Sequence, residues 1–205
     1  DRLVELLACD GCSQEDAGIA ALAEQFDLGH GEPFARRQVV VFGDAGARDD
    51  ADSAGVPREL LHARTVTAWL RRLVVAPAPE QLLAASGSHL ARWTFPRDAY
   101  PAGRAGYLRW RRAARAAHSV ELSRILAECE VDADVAQRAA ALVAKSSEAD
   151  AAAAQAHEDA LCLAFFELDA ARVGTALGDR AGPVIERTRA KMSERALSML
   201  ADLPG

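Results

Sequence analysis

The chain has 205 residues, enough for one well-buried core with or without an appendage. Its 50% hydrophobic and 26% charged content is ordinary for a globular protein, and the formal net charge of −6 argues against a general nucleic-acid binder. We find no apolar run near the roughly 20 residues that span a bilayer and no secretory signal, so we expect a cytoplasmic protein that does not bind membranes. The sequence leaves the oligomeric state open.

Residues 1–31 form a predicted N-terminal helical appendage, with short helical segments at Arg2–Ala8 and Gln14–Phe26. Cys9 and Cys12 form a single C-x-x-C pair within it. A structural zinc site normally needs a second pair of ligands, so incidental thiols in a loop are favoured over a metal or redox site.

Residues 32–205 form the predicted main domain, which begins with a helix from Pro33 to about Ala45. Beyond it, apolar residues recur with the period of an α-helix and are interrupted by Pro and Gly. This pattern predicts helices opened by Pro57 and by Pro79, and helices at about Tyr107–Glu128, Ala133–Lys145, Ala149–Leu168 and Gly182–Leu200. Residues 94–106 interrupt the series as an irregular loop rich in Arg, Pro and Gly. The predicted fold is all-α.

Three histidines and one aspartate lie on the predicted inner faces of separate helices: His62, His89, His118 and Asp159. A buried, isolated carboxylate is costly to desolvate and needs a partner. If these four side chains converge, they form a ligand set for a divalent transition metal such as Zn, Mn or Fe. The alternative is that each histidine is a hydrogen-bonded core residue and that Asp159 pairs with an arginine.

Arginine and tyrosine side chains are concentrated between the second and third histidines of this set. Guanidinium groups suit phosphate or carboxylate oxygens, and loops held by a scaffold commonly carry ligand contacts. We therefore predict that a small anionic substrate is bound by Arg92, Arg97, Tyr100, Arg104 and Tyr107. Solvent-exposed arginines on a helix face are the alternative, and we favour it for Arg109, Arg112 and Arg115.

The segment S-H-L-A-R-W-T-F-P-R-D-A-Y-P at residues 88–101, followed by G-R-A-G-Y-L-R-W-R at 103–111 and by His118, resembles domain-of-unknown-function family 4202. E-D-A-L-C-L at 158–163 and K-M-S at 191–193 match the same pattern. The resemblance extends from about Phe34 to Arg195.

That family is similar to the HD superfamily, whose members are all-helical metal-dependent phosphohydrolases with a His…His-Asp…Asp signature. The resemblance implies an HD-domain-like helical bundle with the irregular loop placed after the helix of His89. It also implies His62 as the first ligand, His89 as the histidine of the pair and Asp159 as the final carboxylate. Leu90 stands where the HD pair has its aspartate, and His118 could supply the replacement ligand.

The first functional hypothesis is a metal-dependent hydrolase of a small anionic, phosphorylated metabolite. Glu158 would orient a ligand or act as general base, and Arg111 would neutralise substrate oxygens in the catalytic centre. The alternatives are an HD-type iron-dependent oxygenase and a non-enzymatic helical protein that binds an anion or a partner. K-M-S-E-R at 191–195 resembles a loop of glutamyl-tRNA synthetases, but without a nucleotide-binding βαβ unit it does not predict aminoacylation.

Overall fold

The computed structural model describes residues 58–90 and 92–203, and in this part of the chain the regular structure is entirely helical. Its α-helices are α1 (Arg58–Leu73), α2 (Pro79–Gly87), α3 (Gly103–Glu128), α4 (Ala133–Ala144), α5 (Ala151–Leu168), α6 (Ala170–Leu177), α7 (Gly182–Arg189) and α8 (Glu194–Ala201). The all-α prediction is confirmed, whereas the HD-like arrangement stays a prediction. The predicted appendage of residues 1–31, the helix from Pro33 and the Cys9–Cys12 pair lie outside the described residues.

None of the helices in the described ranges is both long and apolar enough to cross a membrane.

Helix α1 buries one side against α5, and this packing directs its histidine inward. The predicted ladder of His62, Val66, Trp69 and Leu73 is confirmed, because all four side chains are buried. Val66 belongs to the same apolar cluster as Leu163 of α5. Burial of each such aliphatic side chain contributes about 1.5–3 kcal/mol to folding. His62 is therefore fixed on the protein side of α1 by the apolar residues that follow it.

Helix α3 buries a stripe of residues spaced four apart: Gly106, Trp110, Ala114, His118, Leu122 and Leu126. Leu122 and Leu126 belong to a second apolar cluster, which α3 shares with α2 and α4. An added Cβ on Gly87 of α2 would lie 2.9 Å from Leu122 Cδ1, so a glycine lets these two helices approach closely. Because His118 continues this stripe, the packing of α3 places its imidazole in the interior.

The loop before α3 is shorter than the sequence pattern predicts, since α3 begins at Gly103 and not at Tyr107. Gly103 has φ +83°, a backbone conformation that glycine adopts readily and other residues avoid. Gly106 lies in the first turn, where a Cβ would be only 1.8 Å from the Pro101 carbonyl oxygen. The glycines that suggested loop therefore serve the entry of the chain into a helix.

The predicted C-terminal helix from Gly182 to Leu200 is wrong, because the structure has two helices, α7 and α8, separated by residues 190–193. Ser193 caps α8, and its hydroxyl oxygen accepts a hydrogen bond from the Ala196 amide at 3.2 Å. The K-M-S segment is thus the connection into α8 and not part of a helix. Helix α6 was not predicted from the sequence.

Lys145 ends α4 in the left-handed conformation, with φ 56° and ψ 47°. The amide of Ser146 donates to the Ala141 carbonyl at 2.9 Å, and that of Lys145 donates to the Leu142 carbonyl at 3.1 Å. These two bonds form the usual C-terminal helix motif, in which glycine is the preferred left-handed residue. A lysine in this conformation is strained. Its ammonium group forms an ion pair with Glu158 of α5.

Candidate functional site

The three predicted histidines lie together where α1, the turn after α2 and α3 meet. His62 and His89 stack, with ring centroids 3.5 Å apart and planes 16° apart. The rings of His89 and His118 have centroids 6.2 Å apart. Three of the four side chains predicted to bind a metal are therefore neighbours, although they come from separate segments.

The hydrogen bond of His118 determines which of its nitrogens is free. His118 Nδ1 lies 2.5 Å from the Leu90 carbonyl oxygen, which can only accept, so Nδ1 carries the proton. Nε2 is left with an available lone pair, the usual arrangement of a histidine that binds a metal. Leu90, the residue that follows His89, thus positions His118 through its backbone carbonyl.

Burial keeps all three imidazoles neutral. Burial, followed by the positive charge of Arg92, lowers the pKa of His62 to about 3. The pKa of His89 is lowered by burial and then by the nearby His62, and that of His118 chiefly by burial. His62 Nδ1 is also buried and has no hydrogen-bond partner among the described residues. The cluster therefore offers unprotonated ring nitrogens, the form that binds metals.

Arg92, predicted to bind substrate, lies within this cluster. Its Nη1 is 2.9 Å from His89 Nε2 and 3.2 Å from His89 Nδ1, and its guanidinium is 5.3 Å from the ring centre of Trp110. Because a guanidinium only donates hydrogen bonds, it occupies a lone pair of His89. A metal bound through His89 would compete with Arg92 for that nitrogen.

Two acidic residues that were not selected from the sequence act on the same region. Glu59 Oε2 is buried without a hydrogen-bond partner in the described part of the chain, and Glu59 precedes His62 by one helical turn. Burial lowers the pKa of Arg92, and the negative charges of Glu59 and Asp169 oppose that effect. Asp169 also forms an ion pair with Arg58. The E-x-x-H spacing of Glu59 and His62, which puts both on one helix face, was the signal that could have identified Glu59.

Asp159, the fourth predicted ligand, bonds to another part of the protein. Its Oδ1 accepts from the Ser193 amide at 2.8 Å and from Gln155 Nε2 at 2.9 Å, and its Oδ2 accepts from Ser193 Oγ at 2.6 Å. Asp159 therefore holds the start of α8 through Ser193, and its partner is not the arginine of the alternative interpretation. Its role as a metal ligand stays a prediction.

Within the described residues, no group of three or more His, Cys, Asp or Glu side chains is arranged to hold a metal ion as it stands. His62 and His89 are stacked face to face, and Arg92 Nη1 lies at a ring nitrogen of His89.

A second cluster, the basic cluster, consists of Lys145 and Lys191, which contact Glu158, and of Arg111 and Arg115, whose charges act on Lys145. Glu158 forms ion pairs with Lys145 and, at 3.4 Å, with Lys191. Burial and then the charges of Arg111, Lys191 and Arg115 lower the pKa of Lys145 to about 8. Glu158, predicted as a catalytic residue, thus lies between two ammonium groups.

His157 interacts electrostatically with both clusters, through Lys145 and through His62. It is 2% exposed, and its Nδ1 has no hydrogen-bond partner among the residues described. Burial, and then the charge of Lys145, lowers its pKa to about 4. His157 in turn contributes to the low pKa of His62, so the two clusters are electrostatically connected.

The residues predicted to bind substrate from the loop before α3 have different surroundings. Arg97 donates to the carbonyl oxygens of Tyr100 at 2.9 Å and Pro101 at 3.0 Å, and so closes the loop on itself. Arg104 and Tyr107 are exposed on the first turns of α3, and Tyr107 has its ring centroid 5.7 Å from that of Trp110. Substrate binding by these residues stays a prediction.

The fold and site define an all-α protein with a buried histidine cluster beside a basic cluster. Comparison with protein-family models matches residues 42–204 to DUF4202, described as a domain of unknown function. The match covers most of the chain, which therefore belongs to this family, as its central motif predicted. Neither a curated protein nor a solved structure matches the chain. The relationship to the HD superfamily stays a prediction.

Proposed function

We propose that this protein is a metal-dependent hydrolase of a small anionic, phosphorylated metabolite, with His62, His89 and His118 as metal ligands. The observation that carries the proposal is the contact of three neutral imidazoles from three segments, one of them with an unpartnered buried nitrogen. The HD-like resemblance of the sequence supports the same chemistry, as an analogy at the level of the fold.

Two features of the cluster favour a bound cation, against the opposing positive charge of Arg92. A buried polar group without a hydrogen bond costs about 1–3 kcal/mol, and His62 Nδ1 is such a group. Because burial lowers the pKa of each of the three rings, protons do not compete with a metal near neutral pH. Imidazole suits zinc, iron and manganese to differing degrees, so the ligand set does not single out one metal.

Glu59 is the carboxylate that best completes this set. It shares a face of α1 with His62, and its buried Oε2 has no partner within the described residues. Asp159, in contrast, uses both of its oxygens to hold Ser193. We therefore assign the carboxylate ligand to Glu59.

A bound divalent metal would polarise the scissile phosphate and lower the pKa of a water molecule at the site. The protein's own groups have separate roles. Arg92 would leave His89 for the anionic oxygens of the substrate, which guanidinium groups bind in bidentate fashion. Glu158, which pairs with Lys145 and Lys191, would act as the proton acceptor.

Metal analysis and phosphatase assays of the purified protein test the proposal. We expect close to one equivalent of Zn, Mn or Fe, phosphate release that stops when the metal is removed and returns when it is restored, and loss of both in His118→Ala. Leu126→Ala is the matched control, because it also truncates the buried stripe of α3 but removes no ligand. Full activity in the metal-free protein would contradict the proposal.

The same samples separate the other two functions. Bound iron with turnover that depends on oxygen would identify an iron-dependent oxygenase, to which a set of histidines is equally suited. Absence of metal together with retained anion binding would identify a non-enzymatic binding protein.

A further inference from the structure

The basic cluster consists of four cations from three parts of the fold, and two of them pair with one carboxylate. Lys145 ends α4, Lys191 lies between α7 and α8, and both contact Glu158 of α5. Arg111 and Arg115 of α3 are close enough to lower the pKa of Lys145 after the effect of burial. Glu158 can balance only one of these charges, so the cluster carries an excess of positive charge in a partly buried position.

One cation of the cluster has a buried donor that nothing satisfies. Arg115 Nε is buried and has no hydrogen-bond partner among the described residues. Burial, and then the charges of Arg111 and Arg112, lowers the pKa of Arg115, so like charges are crowded around this guanidinium. Guanidinium groups donate charge-assisted hydrogen bonds that suit the oxygens of a phosphate.

The two arginines of the basic cluster lie on the same face of α3 as His118 of the histidine cluster. Arg111, Arg115 and His118 are spaced four and three residues apart, so they follow one face of the helix. Helical rise places Arg115 about 4.5 Å and Arg111 about 10.5 Å along the axis from His118. An anionic group bound at the basic cluster would therefore be separated from the histidines by no more than the length of a small metabolite.

We propose that Arg111, Arg115, Lys145 and Lys191 form the binding site for a phosphate group, and that Arg97 and Arg104 do not. Lys145 adopts a left-handed backbone conformation at the end of α4, and its ammonium pairs with Glu158. Arg97 is occupied by backbone carbonyls and Arg104 is exposed. Calling the bound group part of the substrate rests on the proposed function, whereas phosphate binding itself does not.

Calorimetric titration of inorganic phosphate into the metal-free, full-length protein tests the site. We expect saturable binding that weakens by about tenfold or more in Arg115→Gln and in Lys145→Gln, since each removes a charge-assisted hydrogen bond. Arg104→Gln and Arg109→Gln are matched controls from exposed positions of the same helix and should stay within about twofold, as expected for groups that do not touch the ligand. Acetate at equal ionic strength distinguishes phosphate recognition from carboxylate binding, and we expect it to bind more weakly.

Absence of phosphate binding, equal binding in Arg115→Gln and Lys145→Gln, stronger binding of acetate, or loss in Arg104→Gln instead would each overturn the proposal. If Arg115→Gln does not fold, Lys145→Gln and Lys191→Gln decide the question, because their side chains are only partly buried. His118→Ala should retain phosphate binding. A failure of the metal proposal would thus leave this result unchanged, and the two failures can be told apart.

Discussion

The imidazoles of His62 and His89 lie face to face, with centroids 3.5 Å apart, although one belongs to α1 and the other to the turn after α2. Two protonated rings at this distance would repel each other strongly, so the stack requires that at least one is neutral. Apolar side chains could pack in this position without any such restriction on protonation. Under the proposed function, the two rings would have to separate for both to bind one metal ion.

The first prediction concerns stability in acid. The folded pKa of His62 is about 3 against an ordinary 6.5, so between these values the unfolded chain binds a proton that the folded chain does not. Stability should therefore fall as pH drops below 6.5, by about 1.4 kcal/mol per pH unit for each such histidine. Urea unfolding of the metal-free protein at several values between pH 5 and 7 measures the slope. His62→Gln should reduce the slope by the contribution of one proton. A flat profile in the wild type would contradict the prediction.

The second prediction concerns Arg92 and metal affinity. Arg92→Met removes a positive charge beside His89 and frees His89 Nε2, so we expect metal affinity to rise by about tenfold or more. Competition with a chelator of known affinity measures the change. Arg97→Met is the control, because Arg97 donates to backbone carbonyls and not to a histidine. Weaker metal binding in Arg92→Met would show that Arg92 supports the site.

The third prediction separates the two candidate carboxylates. Asp159→Asn weakens the bonds to Ser193 and should lower the free energy of unfolding by about 1–3 kcal/mol while metal stoichiometry is retained. Glu59→Gln should lower metal affinity with a smaller effect on folding. Denaturation and metal titration of both variants give the answer. The reverse pattern would return the ligand role to Asp159, as the sequence predicted.

The fourth prediction uses two glycines in helices. A Cβ at Gly106 would clash with the backbone of Pro101, so Gly106→Ala should destabilise the protein by at least about 2 kcal/mol. Gly174 of α6 has open space around the same position, and Gly174→Ala should stabilise by about 0.5–1 kcal/mol through helix propensity. Thermal or urea denaturation of the pair tests the close approach at the start of α3. Equal effects in the two variants would contradict it.

The periodicity of apolar residues was sufficient to predict which side chains are buried where a helix has one clearly apolar side. It placed His62 with Val66 and Trp69 on the buried side of α1, and His118 with Leu122 on that of α3, and all are buried. In such helices the position of a polar residue follows from its neighbours at one and two turns. This is why the histidines could be selected before the structure was known.

Tertiary contacts decided what periodicity missed. The residues between α7 and α8 have no strong helix breaker, and the interruption depends on Ser193 as a cap and on its bonds to Asp159. The basic cluster was missed for a similar reason, since Lys145 and Lys191 meet only because the end of α4 and the α7–α8 connection both lie against Glu158. Neither relationship has a local signal in the sequence.

The left-handed residue at the end of α4 also bears on engineering. A designer who optimises backbone preference alone would replace Lys145 with glycine, and would gain about 1 kcal/mol or more of stability from the relief of strain. The same substitution removes the ammonium group that pairs with Glu158. We therefore expect variants with glycine at this position to be more stable but functionally impaired. Stability and function would then conflict at a single side chain.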